Sequence, residues 1–392
     1  MVKNVLIVSQ VIQQWYVDVL TCALGNDVHI DIITGSSVKG NVISSPIHDS
    51  RSFKSRLVCW FRHYDFVKKW ADSNNTKKYD LIFATSNPPI NSSIGLMLKK
   101  TFNAPFVYMN WDLYPQVVET AIKNPVVKFV CSKWHKWNSQ NYKKIDAMLT
   151  IGNVMADTLN SNLKEKIPVH ILPIAVDTEK LKPIEKSENP FCIEHGLENK
   201  FVVLYSGKMG IGHNIEMILE AAEKLKLYEK ICFVFIGEGQ KYSVVEEYIK
   251  CHKSDNVRLF PLQSEEIFPY SMACGDVGIV SQEASMAHLF MPSKTYSMMA
   301  CGSAILGIGT DKDDLYNLIS ENCIGETITD DSCDTLIEKI LDLYNDNEKL
   351  SRYKNSSRYV AEKDFSLKSI EQKYSKLFKY YLKKIINTHS MF

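Results

Sequence analysis

No long apolar run is present in the 392 residues, and none approaches the roughly 18–20 that span a bilayer. The first residues, MVKNVLIVSQ, lack the extended apolar stretch of a signal peptide, because the early run stops at Ser9. The ten cysteines contain no C-x-x-C pair, which argues against a zinc knuckle and a redox couple. Several sit in apolar runs, as Cys232 does in ICFVFIG, where a thiol is a small core residue. A soluble or peripheral protein of a reducing compartment is expected. H-E-x-x-H, G-x-S-x-G, G-x-G-x-x-G and P-loop patterns are also missing. Histidines and carboxylates assemble into no nucleophilic triad or metal set, so neither a metal ion nor a resident cofactor is expected.

Net charge is nearly absent too: 46 Lys/Arg against 45 Asp/Glu leave +1. That balance argues against a bulk nucleic-acid binder. It hides a strong asymmetry, however. Residues 1–180 carry a net +7, residues 181–350 a net −13, and residues 351–392 a net +7. Unlike domains would give this pattern, and the length suits two of them.

Short apolar, β-branched runs alternate with helical patterns from end to end. Strands are expected at 4–9, 28–34, 80–86, 105–110, 147–152 and 170–176, then at 201–207, 231–237, 257–262, 276–281 and 304–309. Such alternation implies βαβ crossovers and parallel sheets covered on both faces, hence two Rossmann-like domains in tandem. The polar segment 177–200 is the linker candidate. At the other end, residues 367–386 place Ile370, Tyr374, Leu377, Tyr381 and Ile385 on one helical face.

Four motifs could carry chemistry. In LYSGKMGIGHN (204–214) a strand runs into a Gly-rich turn and a helix, with Gly207 for close backbone approach, Lys208 at the strand's end and His213 five residues on. It reads as a diphosphate cradle or as a simple bend. FIGEGQ (235–240) repeats the strand-to-turn pattern with Gly237 and Glu238. In FMPSKTYSMMACG (290–302), Lys294 falls in a first helical turn, where it opposes the helix dipole; an anionic ligand would reverse that sign, and a solvated lysine is the alternative. In YMNWDLYPQ (108–116), Asp112 follows a strand, as a functional carboxylate or a helix cap. Separately, stretches 53–70 and 128–144 interleave Lys/Arg with Trp, Phe and Tyr. They suit an anionic bilayer surface, or are ordinary helices with their aromatics in the core.

Taken in order, LYSGKMG, FVFIGEG, NVRLFPLQSEEIFPYSMACGDVGIVS and MPSKTYSMMACGSAIL resemble the donor half of retaining glycosyltransferases of family four, in the branch that builds bacterial capsule, O-antigen and exopolysaccharide repeats. SNPPINSSIG, the Asp112 stretch and the C-terminal DFSLKSIEQKYSKLF extend the resemblance over most of the chain. It implies an α/β protein of the GT-B fold: an acceptor-binding Rossmann-like domain over 1–180, a donor-binding one over 181–362, parallel sheets facing across a cleft, and a C-terminal helix, 363–392, crossing back to the first domain. It further implies metal-independent transfer from a nucleotide-sugar, a UDP-sugar by family preference, to a polyprenyl-diphosphate-linked saccharide at the inner membrane face.

By position, the resemblance makes Asp112, Lys208 and Lys294 catalytic, and Gly207, His213, Gly237, Glu238, Leu262, Glu283, Ser293 and Tyr296 substrate-binding. There are departures. His213 stands where the family has a second cation, and the family's paired glutamates are replaced by Leu289 and Ser297, which leaves Glu283 as a substitute sugar-hydroxyl acceptor. Other open readings are a sugar-nucleotide 2-epimerase and a non-catalytic nucleotide-sugar binder.

Overall fold

The computed structural model describes residues 3–389 apart from 50–52, 211, 253, 310 and 331, with the side chains of 53, 54 and 383–389 also outside the description. The chain forms two compact units, Met1–Pro173 with Ile370–Phe392, and Ile174–Ser369. The first holds a seven-stranded sheet of β1 (Lys3–Val8), β2 (Val28–Thr34), β3 (Asn41–Ser44), β4 (Leu81–Thr85), β5 (Phe106–Met109), β6 (Ala147–Thr150) and β7 (Val169–Ile171). All pairs are parallel, in the order β3-β2-β1-β4-β5-β6-β7.

The second unit holds six parallel strands: β8 (Phe201–Lys208), β9 (Ile231–Glu238), β10 (Val257–Phe260), β11 (Val277–Ser281), β12 (Ala304–Ile308) and β13 (Gly325–Ile328). Their order is β10-β9-β8-β11-β12-β13. Strand order reverses between β1 and β4 in one sheet and between β8 and β11 in the other, which is where open α/β sheets bind ligands, beyond the carboxyl ends of the strands. The helix Ile215–Lys224 shows why the crossovers hold. Its Ile215, Ile218, Leu219 and Ala222 recur at the 3.6-residue period and are buried on the second sheet.

Two strands escaped the sequence reading. β3 is four residues with exposed ends, and β13 is GETI, too short and too polar to stand out. The polar segment 177–200 is folded into the second unit rather than left as a linker. Asn189 caps a short helix, Pro190–Glu194, by accepting from the amides of Phe191 and Cys192, and both of those side chains are buried.

The helix Leu367–His389 passes into the first unit at Ile370. There Ile370, Tyr374, Leu377, Phe378 and Tyr381 are buried, each apolar side chain worth roughly 1.5–3 kcal/mol removed from water. The Tyr374 hydroxyl meets that of Tyr16 at 2.7 Å, and the Tyr374 and Phe378 rings lie edge-on to Phe83. Ile385 lies outside the described side chains.

Divided by unit, the charge is polarised: 25 Lys/Arg against 13 Asp/Glu in the first, a net +12, and 21 against 32 in the second, a net −11. Among the described residues no helix is long and apolar enough to cross a membrane.

Candidate functional site

The candidate site is built at the strand ends of the second unit. β8 and β9 run side by side with Gly207 opposite Gly237 and Lys208 opposite Glu238. Gly207 has φ 126° and Gly237 φ 147°, and a Cβ on Gly237 would fall inside van der Waals contact of the Gly207 carbonyl. Only glycine therefore lets the two ends approach this closely. Lys208 and Glu238 are exposed there.

Lys294 closes the site from beneath. It is the first residue of the helix Lys294–Ala300. Its ammonium turns inward instead of into solvent: Nζ is sealed from water and has no hydrogen-bond acceptor. It rests 3.9 Å above the centre of the Tyr205 ring and lies 4.0 Å from where a Cβ on Gly207 would sit. The ring face offers the cation a partial counter-charge. Loss of water holds its pKa down at about 7, so near neutral pH the group carries its proton only part of the time. An anion entering beside Gly207 would supply the missing acceptor.

The loop after β8 completes the wall. His213 Nδ1 donates to the Ser281 carbonyl at 2.8 Å, which leaves Nε2 with a lone pair. Burial, and then the charge of Lys294, hold its pKa down at about 4. It is a neutral acceptor and not a second cation. The Ser281 hydroxyl takes the Asn214 amide at 2.9 Å, which ties this loop to the end of β11. Lys241 Nζ donates to the His213 carbonyl and to Glu216, both at 2.7 Å. Glu283 follows β11 with Oε2 2.9 Å from where a Cβ on Gly212 would sit, and its other oxygen accepts from Ser285.

Thus Gly207, Lys208, His213, Gly237, Glu238, Glu283 and Lys294 gather at the ends of β8, β9 and β11. Ser293 stands exposed beside Lys294, and Leu262 is exposed past the end of β10. Tyr296 is buried, with its ring edge-on to Phe365 at 4.8 Å, so it packs the unit's interior. Sequence reasoning missed Tyr205, Ser281 and Lys241, whose roles depend on partners at least 25 residues away. An Asp-x-Asp pair, the pattern of metal-dependent sugar-nucleotide enzymes, does occur at Asp311-Lys312-Asp313, contrary to the reading that the sequence has none. Asp313 is structural, however: its buried side chain caps the helix Asp314–Asn322 and accepts from Gln282. Among the described residues no three His, Cys, Asp or Glu gather as metal ligands.

Asp112 belongs to the first unit, three residues past the end of β5. Loss of water pushes its carboxyl up to about 6. It does not cap the next helix, which starts at Gln116 with Pro115 before it and no side-chain cap. Beside it, Trp111 lies edge-on to Tyr16 and Tyr114 stacks on Trp134.

Over this geometry, comparison with known proteins gives a consistent assignment. Residues 193–360 match the model of the family glycosyl transferases group 1. The chain is 24% identical over 285 residues to the probable glycosyltransferase WbjE of Pseudomonas aeruginosa, covering 70% of this chain and 69% of that protein. Over 105 residues it is 32% identical to the putative colanic acid biosynthesis glycosyl transferase WcaI of Escherichia coli, 27% of this chain and 26% of that one. The crystal structure of HepE from Anabaena in complex with UDP and glucose superposes with TM-score 0.70 at 13% identity, covering 96% of this chain and all of that one. The fold is GT-B, two Rossmann-like units each built on a parallel sheet.

Proposed function

We propose that this chain transfers a sugar, with retention and without a metal ion, from a nucleoside-diphosphate donor to a hydroxyl of a polyprenyl-diphosphate-linked saccharide in bacterial surface-polysaccharide synthesis. The donor is a UDP-sugar, held by the second unit; Asp112 in the first is the acceptor-side carboxylate. The enzyme works in the cytoplasm, against the anionic inner face of the membrane. The observation that carries this reading is the Lys294 ammonium, sealed, without an acceptor, and adjacent to the glycine-lined ends of β8 and β9. The HepE complex with UDP and glucose, and the relatives' names, support the donor class and the pathway.

The chemistry follows from where charge develops. As the bond from the anomeric carbon to the diphosphate oxygen breaks, negative charge grows on that oxygen. Lys294 and Lys208 stabilise it there, in a pocket where the dipoles are already in place. The acceptor hydroxyl attacks from the face the diphosphate leaves, and its proton passes to the departing phosphate oxygen. A carboxyl with a pKa of about 6 is ionised at neutral pH yet poorly hydrated, so Asp112 is suited to accepting from a hydroxyl of the acceptor saccharide. Glu283 and the Nε2 of His213 accept from hydroxyls of the donor.

The test is to incubate the full chain with UDP-, GDP- and dTDP-sugars in EDTA, with and without lipid-linked saccharide from a bacterial membrane extract. Release of UDP only when acceptor is present is expected, with loss of orders of magnitude in Lys208→Ala and Lys294→Ala. Sugar interconversion without acceptor would make the protein an epimerase, and binding without turnover a non-catalytic partner.

A further inference from the structure

The basic, aromatic stretches of the first unit separate in the structure into core and surface. Their tryptophans face inward: Trp60 is buried, Trp70 packs on Tyr79 and Phe102, Trp134 stacks on Tyr114, and Trp137 lies edge-on to Tyr142. What stays outside is a different set. On the helix Pro125–Asn141, Val126, Phe129 and Val130 are 71%, 64% and 55% exposed. Their spacing of three and four puts them on one face of its first two turns. Asn124 caps this end by accepting from the amides of Val126 and Val127, with Pro125 in the first position, so the patch sits on an ordered helix start and not on a loop.

Basic charge predominates around the patch, although Glu119 accepts from His135 Nε2 of the same helix at 2.9 Å. Residues 120–145 contain six lysines and no Asp or Glu. Lys128, Lys133 and Lys136 are exposed, and Lys133 Nζ lies over the Phe129 ring at 5.2 Å. The other basic helix, Phe53–Ser73, also exposes Val58 and Phe61, but it carries Asp65, paired with Lys69 at 2.7 Å.

We infer that the first two turns of the helix Pro125–Asn141 seat this chain on an anionic lipid surface, with Val126, Phe129 and Val130 at headgroup level and Lys128, Lys133 and Lys136 against the lipid phosphates. The inference rests on the membrane part of the proposed function and gives it an address. Three apolar side chains are too few for a stable second copy, which needs about 800 Å² from each partner. Single-stranded nucleic acid would use the lysines and the phenyl ring but has no use for exposed valines. An interfacial helix uses all six.

Cosedimentation of the full chain with vesicles, without any donor or acceptor, tests this. The wild-type chain is expected to bind vesicles of phosphatidylethanolamine and phosphatidylglycerol and not vesicles of phosphatidylcholine. Binding should weaken at least tenfold in V126S/F129S/V130S and in K128Q/K133Q/K136Q, with the melting temperature of both unchanged because these positions are exposed. Raising salt to 0.5 M should reproduce the effect of the lysine changes and leave little further loss in that variant.

Equal binding by wild type and both variants would overturn the inference while leaving a membrane-bound enzyme that docks elsewhere. A wild-type chain that ignores anionic vesicles would overturn both; turnover with a short water-soluble acceptor analogue then decides the donor chemistry separately. A shift in oligomeric state confined to V126S/F129S/V130S would assign the patch to a second copy instead, and oligonucleotide binding lost in both variants would assign it to nucleic acid.

Discussion

Replacing Lys294 by methionine should make the free protein more stable, and by an amount that depends on pH in a defined direction. The ammonium is sealed from water and has no acceptor, and its pKa stands at about 7 against an ordinary 10.5. At 1.36 kcal/mol per unit, that depression is a penalty of about 5 kcal/mol at pH 6, where folded and unfolded chains both hold the proton. Between about pH 7 and 10.5 only the unfolded chain binds it, so wild-type stability rises with pH by up to about 1.4 kcal/mol per unit. Methionine has a similar length, no charge and a flexible stem to fill the same space over Tyr205. Lys294→Met is therefore expected to be about 3–5 kcal/mol more stable than wild type at pH 6, with the gap narrowing by about 3 kcal/mol by pH 9. Urea unfolding, read by hydrogen exchange at the amides of β8 and β11, measures the second unit at pH 6, 7.5 and 9. A variant that is less stable at pH 6, or a gap that does not change with pH, would refute the assignment of an unpaired buried cation.

The same proton sets the pH dependence of ligand binding. If, as proposed, a diphosphate pairs with protonated Lys294, the Kd for UDP should rise by up to about tenfold per unit above pH 7. Calorimetric titration of Lys294→Met should show no such rise, and His213, held at about 4, should add no inflection near pH 6. Gly237→Ala forces a methyl into the Gly207 carbonyl, so it should cost at least about 2 kcal/mol and abolish UDP binding, read by thermal melting and titration. In the first unit, Tyr16→Phe and Tyr374→Phe each strand a buried hydroxyl, at about 1–3 kcal/mol apiece. The double variant should cost less than the two together; strict additivity in urea unfolding would show that the hydroxyls do not pair.

The fold was readable where buried parallel strands force continuous apolar runs, as in NVLIVS, ICFVFIG and AILGIG. It was not readable where an element is short, as in β3 and β13, or where a few buried residues anchor a polar segment, as Phe191 and Cys192 do within 177–200. At the site, motif positions were legible but side-chain directions were not. Lys294 and Tyr296 stand two apart in one motif, roughly 200° around a helix, so one reaches the strand ends and the other packs on Phe365. Tyr205 was invisible for a related reason: nothing in a strand sequence announces a cation delivered by a helix 89 residues later. Whether Asp112 capped a helix turned on where that helix began, and the start at Gln116 decided against the cap.

The most direct measurement is hydrogen–deuterium exchange of the full chain with and without UDP, in EDTA, on wild type and Lys294→Met. Slower exchange is expected in wild type at 206–214, 237–241 and 293–297, and little change in the variant. Protection that falls elsewhere, or that survives the loss of Lys294 undiminished, would contradict a diphosphate site built at the ends of β8 and β9.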